Sequence, residues 1–72
     1  MENKNYDKRH GGPWDRGNAD YYYNRPRQPH FYIGHTAQSL LIPTNEMTEE
    51  QIEAYNAGYD EAEADGVQKE YQ

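Results

Sequence analysis

The clearest hydrophobic pattern in this chain lies near the C-terminus. Apolar side chains recur there at intervals of 3, 4 and 3 residues, which is the spacing of one face of an α-helix. Ala57 and Gly58 have very small side chains, so another backbone can approach this part of the helix closely. The sequence therefore predicts a helix over 48–65 whose narrow apolar seam consists of Ile52, Tyr55, Tyr59 and Ala62.

Local signals mark both ends of this helix. Thr48 followed three residues later by Gln51 forms the capping-box pattern, in which each side chain bonds the other residue's backbone N–H. Glu49 and Glu50 lie in the first turn, where the helix dipole favours negative charge. Gly66 stands where a helix commonly ends in a left-handed residue.

Two short runs in the middle of the chain, HFYIG and SLLIP, are rich in residues that favour β-strands. They predict a hairpin with strands over 30–33 and 39–42, and Pro43 ends the second strand or marks it as an edge. Side chains alternate between the two faces of a strand, so Leu41 points away from its neighbours Leu40 and Ile42. We expect Leu41 to be exposed, at an interface.

A shorter helix is predicted upstream, over 14–24. Pro13 suits a first helical turn because its missing N–H costs nothing there. Gly17 weakens the helix by about 1 kcal/mol relative to alanine. We expect Arg25-Pro26 to end it, because a residue before proline avoids the α region, and the prolines at 26 and 29 then favour an extended segment.

Together these elements predict a small single α+β domain. It contains a short helix, a two-stranded antiparallel hairpin and a long C-terminal helix that lies across the hairpin. We expect residues 13–66 to form this domain, residues 1–12 a flexible tail and residues 67–72 a flexible acidic tail. The expected core comprises Trp14, Tyr21 or Tyr22, Phe31, Ile33, Leu40, Ile42, Ile52, Tyr55 and Tyr59.

Charge divides the chain into two unlike halves. Residues 1–35 contain six Lys or Arg and four Asp or Glu, which is +2; residues 36–72 contain one Lys and nine Asp or Glu, which is −8. Such asymmetry bears on partners more than on fold. The chain has no cysteine and no apolar run near the roughly 20 residues of a membrane span. Its polar N-terminus does not resemble a signal peptide, so we expect a cytoplasmic protein without membrane contact.

The residues offer little for catalysis, and we expect no enzyme and no cofactor. Ser39 is the single serine and lacks the glycine pattern of a nucleophile elbow. The three histidines, at 10, 30 and 35, have no helical i, i+4 pair and no cysteine beside them, so we expect no metal site. The carboxylates of the long helix form a row facing water, without the unequal environments that acid–base chemistry needs. Such a row is a solvated face, or a negative surface that docks on a basic partner.

The segment DYYYNRPRQPHFY, residues 20–32, holds five aromatic side chains and two arginines. Tyrosine stacking and arginine–phosphate contacts are how single-stranded nucleic acid is bound, but no RNA-binding motif surrounds the segment. Tyrosine and arginine are also the residues favoured at protein-binding hot spots. A structural reading places one or two tyrosines in the core, Tyr23 outside, and Arg16 in an i, i+4 pair with Asp20. We expect part of the segment to be core and part to be a protein interface.

Two blocks of the chain resemble a known group of proteins. GGPWDRGNADYYYNRPRQPH resembles the opening G-G-P-[WY]-D-R-G-x-A-D-x-Y-Y-x-R-x-x-x-P-H of small proteins from tailed bacteriophages and prophages. MTEEQIEAYNAGYDEAEADGVQKEY is similar to their capped C-terminal helix and acidic tail, although Lys69-Glu70-Tyr71 replaces the usual K-D-W. The A-Y-x-x-G-Y pattern is also loosely similar to ribosome modulation factor, which is strongly basic, whereas this chain is acidic.

The resemblance implies an origin rather than a chemistry. A small acidic phage protein is expected in the host bacterial cytoplasm, where it would bind and inhibit or modulate a host protein. The expected target is a nucleic-acid-processing machine such as RNA polymerase or a defence nuclease. Direct binding of RNA, the ribosome or single-stranded nucleic acid is the alternative, and the oligomeric state is a monomer or weak homodimer. The predicted protein-binding residues are Trp14, Arg16, Tyr22, Tyr23, Arg25, Arg27, Leu41, Glu53, Asp60 and Glu63.

Overall fold

The structure, a computed structural model, describes residues 6–35, 38–66 and 68. Within these ranges the chain forms two α-helices, one two-stranded antiparallel sheet and one turn of 3₁₀-helix, which confirms the predicted α+β class. In chain order the elements are α1 (Pro13–Tyr22), β1 (His30–His35), β2 (Gln38–Pro43), the 3₁₀ turn Thr44–Glu46 and α2 (Glu49–Asp65).

The end of α1 comes two residues before the predicted boundary, because Asn24 stops the helix. Asn24 adopts a left-handed conformation with φ of 62°, which asparagine tolerates better than most residues. Its N–H donates to the carbonyl of Tyr21 at 3.0 Å, and the N–H of Arg25 donates to the carbonyl of Asp20 at 2.7 Å. These two bonds form a Schellman motif, so the helix is already closed before Pro26.

The predicted boundaries of α2 are confirmed. The Thr48 side chain accepts from the N–H of Gln51 at 3.1 Å, and the Gln51 side chain accepts from the N–H of Thr48 at 2.9 Å. At the other end Gly66 is left-handed, with φ of 73°, and donates to the carbonyl of Ala62 at 2.9 Å. Both ends are therefore determined by contacts within a few residues.

The two helices cross at a pair of glycines. A Cβ atom at Gly17 would overlap the carbonyl oxygen of Tyr55, and one at Gly58 would overlap the carbonyl oxygen of Trp14. The backbones are thus in direct contact, which confirms the close approach expected at Gly58. Gly17, which weakens α1 as an isolated helix, is required for this crossing.

The principal packing contact of α2 is with α1, and the hairpin contacts α1 through β1. The prediction that the long helix lies across the hairpin is therefore wrong. The physical reason is the glycine crossing: two helices with small residues in register bring their backbones closer together than a helix can approach a sheet. Alongside the glycines, the buried residues of the helices are Pro13, Asp20, Ala54, Tyr55 and Ala62.

The strands pair in a regular antiparallel register, with Phe31 opposite Ile42, Tyr32 opposite Leu41 and Ile33 opposite Leu40. Both are longer than predicted. The face shared by Phe31, Ile33, Leu40 and Ile42 turns toward the helices only at its Phe31–Ile42 end. Phe31 is buried and Ile42 half-buried, whereas Ile33 and Leu40 are exposed.

Several predictions about the core need correction. Ile33 and Leu40, predicted as core residues, are exposed, with relative exposures of 38% and 61%, so this half of the shared face is packed less fully than the Phe31–Ile42 half. Tyr22 is also exposed, and Tyr21 takes the inner position of the two alternatives. Phe31 and Tyr55 are buried as predicted. The remaining predicted core residues are half-buried, namely Trp14, Tyr21, Ile42, Ile52 and Tyr59.

Hydrogen bonds join the described part of the segment before α1 to α2 and to β1. The Tyr6 hydroxyl donates to the Glu53 carboxylate at 3.2 Å, and the carbonyl of Gly11 accepts from the N–H of Tyr32 at 2.8 Å. Residues 1–5 of the predicted N-terminal tail, and residues 67 and 69–72 of the C-terminal one, lie outside the described residues. Among the described helices, none combines the length and apolar character that a membrane crossing requires.

Candidate protein-binding surface

A buried hydrogen-bonded pair, Tyr55 and Asp20, holds the Tyr/Arg segment against the helices. The Tyr55 ring is fully buried, and its hydroxyl donates to Asp20 Oδ2. The same hydroxyl accepts from the backbone N–H of Gln28 at 3.1 Å. One side chain of α2 thereby connects the last part of α1 to the extended chain that leads into β1.

Cations surround the buried Asp20 carboxylate. Its Oδ1 atom has no hydrogen-bond partner but lies 3.6 Å from Arg16 Nη2 and 3.9 Å from Arg25 Nη1. The first of these is the predicted i, i+4 pair. A buried carboxylate is costly unless such charges compensate it, so these arginines have a structural role in the fold.

His30 completes this group from the hairpin side. Its Nε2 accepts from Arg16 Nε–H at 3.3 Å, so its Nδ1 carries the proton and donates to the carbonyl of Gln28 at 2.8 Å. His30 therefore has both ring nitrogens engaged within the fold, at the first residue of β1.

The Tyr55 phenol is held in its protonated form. Burial, followed by the hydrogen bond to Asp20, raises the pKa of Tyr55 well above its ordinary value of 10.0. Because the phenol proton occupies the bond to Asp20, ionisation would place two negative charges together in a buried site. The pair is therefore a structural lock at neutral pH.

Arg27 connects the extended segment to the middle of α2. Its guanidinium donates to Asn56 Oδ1 at 3.1 Å and to the Asp60 carboxylate, and it stacks over the Tyr59 ring at 4.4 Å from the centroid. The hydrogen bond to Asp60 is the main reason that the pKa of Arg27 is raised above its usual value. Nearby, the Tyr59 hydroxyl donates to the carbonyl of Arg25 at 3.0 Å.

Two exposed tyrosines lie beside this contact at the end of α1. The rings of Tyr22 and Tyr23 meet edge to face with centroids 4.9 Å apart, and the guanidinium of Arg25 lies 5.5 Å from the Tyr23 ring centre. Both rings retain substantial exposure, and the Arg25 side chain does too. They form an exposed aromatic pair at the molecular surface.

The structure brings six of the ten predicted contact residues to one end of the helix pair. Arg27 connects the extended segment to α2 at this end, and the nearby charge of Glu63 contributes to raising the pKa of Arg27. We call this set the aromatic–acidic surface, which consists of Tyr22, Tyr23, Arg25, Arg27, Asp60 and Glu63.

The other four predicted contact residues do not join this surface. Trp14 is half-buried near the glycine crossing, with Lys8 4.6 Å from its ring centre. Arg16 lies at the buried carboxylate and 5.5 Å from the Tyr32 ring. Glu53 accepts from Tyr6, and Leu41 is on the hairpin.

The C-terminal half of α2 carries unbalanced negative charge. Its last six residues, DEAEAD, include four carboxylates, and the last turn has no basic residue. Helix dipoles disfavour negative charge at this end, by roughly 0.3–1 kcal/mol for each group. Arg27 pairs with Asp60, whereas Glu61, Glu63 and Asp65 make no ion pair with any described residue. The fold therefore tolerates a local electrostatic cost here.

The sequence pattern does not predict that Asp20 is buried, because it indicates only the pairing of Asp20 with Arg16. The signal that could have suggested its burial is the surplus of cations around it, at residues 16 and 25.

A half-open cleft of about 530 Å³ lies between the N-terminal segment and the first turn of α2, away from the aromatic–acidic surface. Within the described ranges, no group of three or more His, Cys, Asp or Glu side chains is placed to hold a metal ion.

Comparison of the chain with protein-family models, curated proteins and solved structures gives no match. The phage-like resemblance therefore stays a prediction, and the case for a function rests on the geometry described above.

Proposed function

We propose that this chain is a non-enzymatic interaction protein that docks on a basic surface of another protein through the aromatic–acidic surface. The carrying observation is the excess of carboxylates at the C-terminal end of α2, whose Tyr59 ring contacts Tyr21, the residue before the exposed Tyr22–Tyr23 pair. Glu61, Glu63 and Asp65 make no ion pair with a described residue and lie at the helix end that disfavours negative charge, so they are suited to a positively charged partner. Aromatic rings beside them supply the apolar contact typical of interface hot spots.

The partner class follows from the same charges. Proteins that process nucleic acid carry basic channels for phosphates, and spaced carboxylates on a rigid helix can compete for such a channel. Together with the phage-like sequence blocks, this supports a host nucleic-acid-processing enzyme as the target, which the chain would inhibit or modulate. RNA polymerase and a defence nuclease are examples of this class.

Direct nucleic-acid binding has weaker support, because the arginines it needs are engaged in the fold. Arg16 and Arg25 lie at the buried Asp20, and Arg27 bonds Asn56 and Asp60. Phosphate contacts would have to compete with these acidic partners. The net charge of −6 adds a general repulsion between the chain and nucleic acid.

The test is capture of partners from bacterial lysate by the tagged protein, with and without nuclease, followed by mass spectrometry. The variant pair Glu61→Gln with Glu63→Gln removes two charges at the C-terminal end of α2. We expect nuclease-resistant capture of one dominant protein, reduced at least five-fold by this double variant. The purified partner should then lose the chain when its nucleic-acid substrate is added, since both would occupy the basic surface.

The matched control is Glu49→Gln with Glu50→Gln, which removes the same charge at the other end of α2. Capture by this control should stay within two-fold of the parent protein. Stability should move in opposite directions, rising for the Glu61/Glu63 pair and falling for the Glu49/Glu50 pair, because the helix dipole has opposite signs at the two ends. Recovery of RNA or ribosomal proteins alone, lost after nuclease, would refute the proposal and favour direct nucleic-acid binding.

A further inference from the structure

The two outer edges of the hairpin are not equivalent. The N–H of Tyr32 donates outward to the carbonyl of Gly11 at 2.8 Å, so the N-terminal segment covers β1 at its centre. Gly11 is left-handed, with φ of 84°, and a Cβ atom at this position would be in ordinary van der Waals contact with Tyr32. In an antiparallel pair, residues whose N–H points outward are opposite residues that also point outward. Leu41, opposite Tyr32, therefore directs its N–H and C=O to the free side of β2.

That outer edge of β2 is open in the part of the chain that the structure describes. No described residue bonds the backbone N–H or C=O of Leu41. Proteins usually protect such edges with charged side chains, bulges or covering segments, because an open edge is a template for another strand. The edge of β2 has little such protection, because its proline, Pro43, lies only at the end of the strand.

The surroundings of this edge are apolar and uncharged. Leu40 is 61% exposed and Leu41 is 50% exposed, on opposite faces of the strand. Ile33 and Tyr32, their partners on β1, are also exposed. Residues 28–45 contain no Asp, Glu, Lys or Arg, although more than a quarter of the whole chain is charged. The hairpin is thus a neutral apolar projection on an acidic protein.

We infer that the edge of β2 pairs with β2 of a second copy of this chain, in an antiparallel arrangement related by a two-fold axis. The two hairpins would then form one four-stranded sheet with the order β1-β2-β2-β1. The main-chain bonds would come from Leu41 and its outward-pointing neighbours. Leu40 and Leu41 of each copy would pack against the other, one on each face of the sheet.

A second copy is the occupant that fits the charges and the fold. Each chain has a net charge of −6, which opposes self-association, but the uncharged hairpin keeps the carboxylates of α2 away from the contact. A charged peptide would find no complementary group along residues 28–45. A two-stranded hairpin is also marginal by itself, and Ile33 and Leu40 are exposed whereas Phe31 is buried. Two further strands would supply the support that the exposed half lacks.

The arrangement closes after two copies. Because Gly11 covers the centre of β1, each chain offers one open edge, and an isologous contact between equal edges leaves no further template. The interface is small, so we expect a reversible dimer with a dissociation constant of roughly 10–500 μM. This inference does not depend on the proposed partner, since the aromatic–acidic surface contains no residue of the hairpin.

The experiment is sedimentation equilibrium of the whole chain from about 10 μM to about 1 mM, combined with amide hydrogen exchange by NMR. The mass should rise from 8.5 kDa toward twice that value with concentration. The N–H of Leu41 should exchange at least five-fold more slowly at the high concentration, because it becomes bonded only in the dimer. An unchanged mass at 1 mM, or a dimer in which Leu41 exchange does not slow, would overturn the inference.

Leu41→Lys and Asn45→Lys provide the matched variants. Both add one positive charge to the same region, but Asn45 lies in the 3₁₀ turn outside the strand. Leu41→Lys should weaken dimerisation at least ten-fold, by placing two lysines beside each other across the axis, whereas Asn45→Lys should leave it within two-fold. Equal dimerisation of the two variants would refute the β2 edge as the contact. If Leu41→Lys fails to fold, the exchange of Leu41 in the parent protein still decides.

Discussion

The helix pair and the hairpin of this small domain differ in packing, burial and charge. At the crossing of α1 and α2 two glycines bring the backbones together, Tyr55 is fully buried, and its hydroxyl bonds Asp20 and Gln28. The hairpin buries Phe31 at one end and exposes large apolar side chains at the other. Charged residues are numerous on the helices and absent from residues 28–45.

Because of this difference, we expect the helix pair to determine the stability of the fold and the hairpin to determine its contact with other molecules. A chain of 72 residues has a small core, and the free energy of unfolding from such a core rarely exceeds about 3–5 kcal/mol. The helix pair contains most of the buried groups, so changes there should act on folding. The exposed side chains of the hairpin contribute little to the free energy of unfolding, so changes there should act on association instead.

The largest effect is expected from Gly17→Ala. The added methyl group would overlap the carbonyl oxygen of Tyr55, which is backbone and cannot move without displacing α2. We expect a loss of about 3 kcal/mol or more, enough to leave much of the chain unfolded at 25 °C. Circular dichroism with urea titration measures this loss.

Gly66→Ala is the control for a glycine that nothing contacts. Gly66 is left-handed, but a Cβ there would meet no atom within 4 Å. Its replacement should cost about 1 kcal/mol, from backbone strain alone. Equal losses for the two substitutions would show that close packing at the crossing does not determine the stability of the helix pair.

An intermediate effect is expected from Tyr55→Phe. The variant keeps the buried ring but leaves Asp20 and the N–H of Gln28 without their hydroxyl partner, which should cost about 2 kcal/mol at pH 7. Tyr59→Phe, which loses one exposed bond to the carbonyl of Arg25, should cost less than about 1 kcal/mol. A Tyr55→Phe loss no larger than that of Tyr59→Phe would contradict the structural lock.

The pH dependence of this difference gives a second readout. The pKa of Tyr55 is raised in the folded state, so above pH 10 the unfolded chain loses the phenol proton while the folded chain retains it. The stabilisation by Tyr55 is therefore complete below pH 10 and falls as pH rises further, by up to about 1.4 kcal/mol per pH unit. The gap between the parent and Tyr55→Phe should narrow above pH 10, as urea titrations across that range would show.

The smallest effect is expected on the hairpin, from Leu40→Ala at low protein concentration. Leu40 is largely exposed, so its truncation should change the free energy of unfolding by less than about 0.5 kcal/mol. Phe31→Ala, on the same face of the hairpin but buried, should cost about 3 kcal/mol or more. Similar losses at both positions would mean that the hairpin is supported along its whole length. Such a result would contradict the difference between its buried and exposed ends.

Much of the candidate surface was foreseeable as residue types, but its assembly was not. The Tyr/Arg segment and the acidic helix stand out in the sequence, and both contribute to the aromatic–acidic surface. The pairing of Arg27 with Asp60, 33 residues apart, depends on how the extended segment runs beside α2. No local pattern encodes such a path, because it results from the helix crossing and from the bond between Gln28 and Tyr55.

The amino-acid pattern predicts the existence of the four main elements, the alternation of Phe31, Tyr32 and Ile33 between the two faces of the hairpin, and both ends of α2. These features depend on backbone geometry and on hydrogen bonds between residues close in the chain, such as Thr48 with Gln51. Contacts between residues far apart in the chain determine that α2 packs on α1, that Asp20 is buried and that Ile33 and Leu40 are exposed. Alternation along a strand identifies its faces, but burial depends on what packs against each face, and here the shared face is covered more fully at Phe31 and Ile42 than at Ile33 and Leu40.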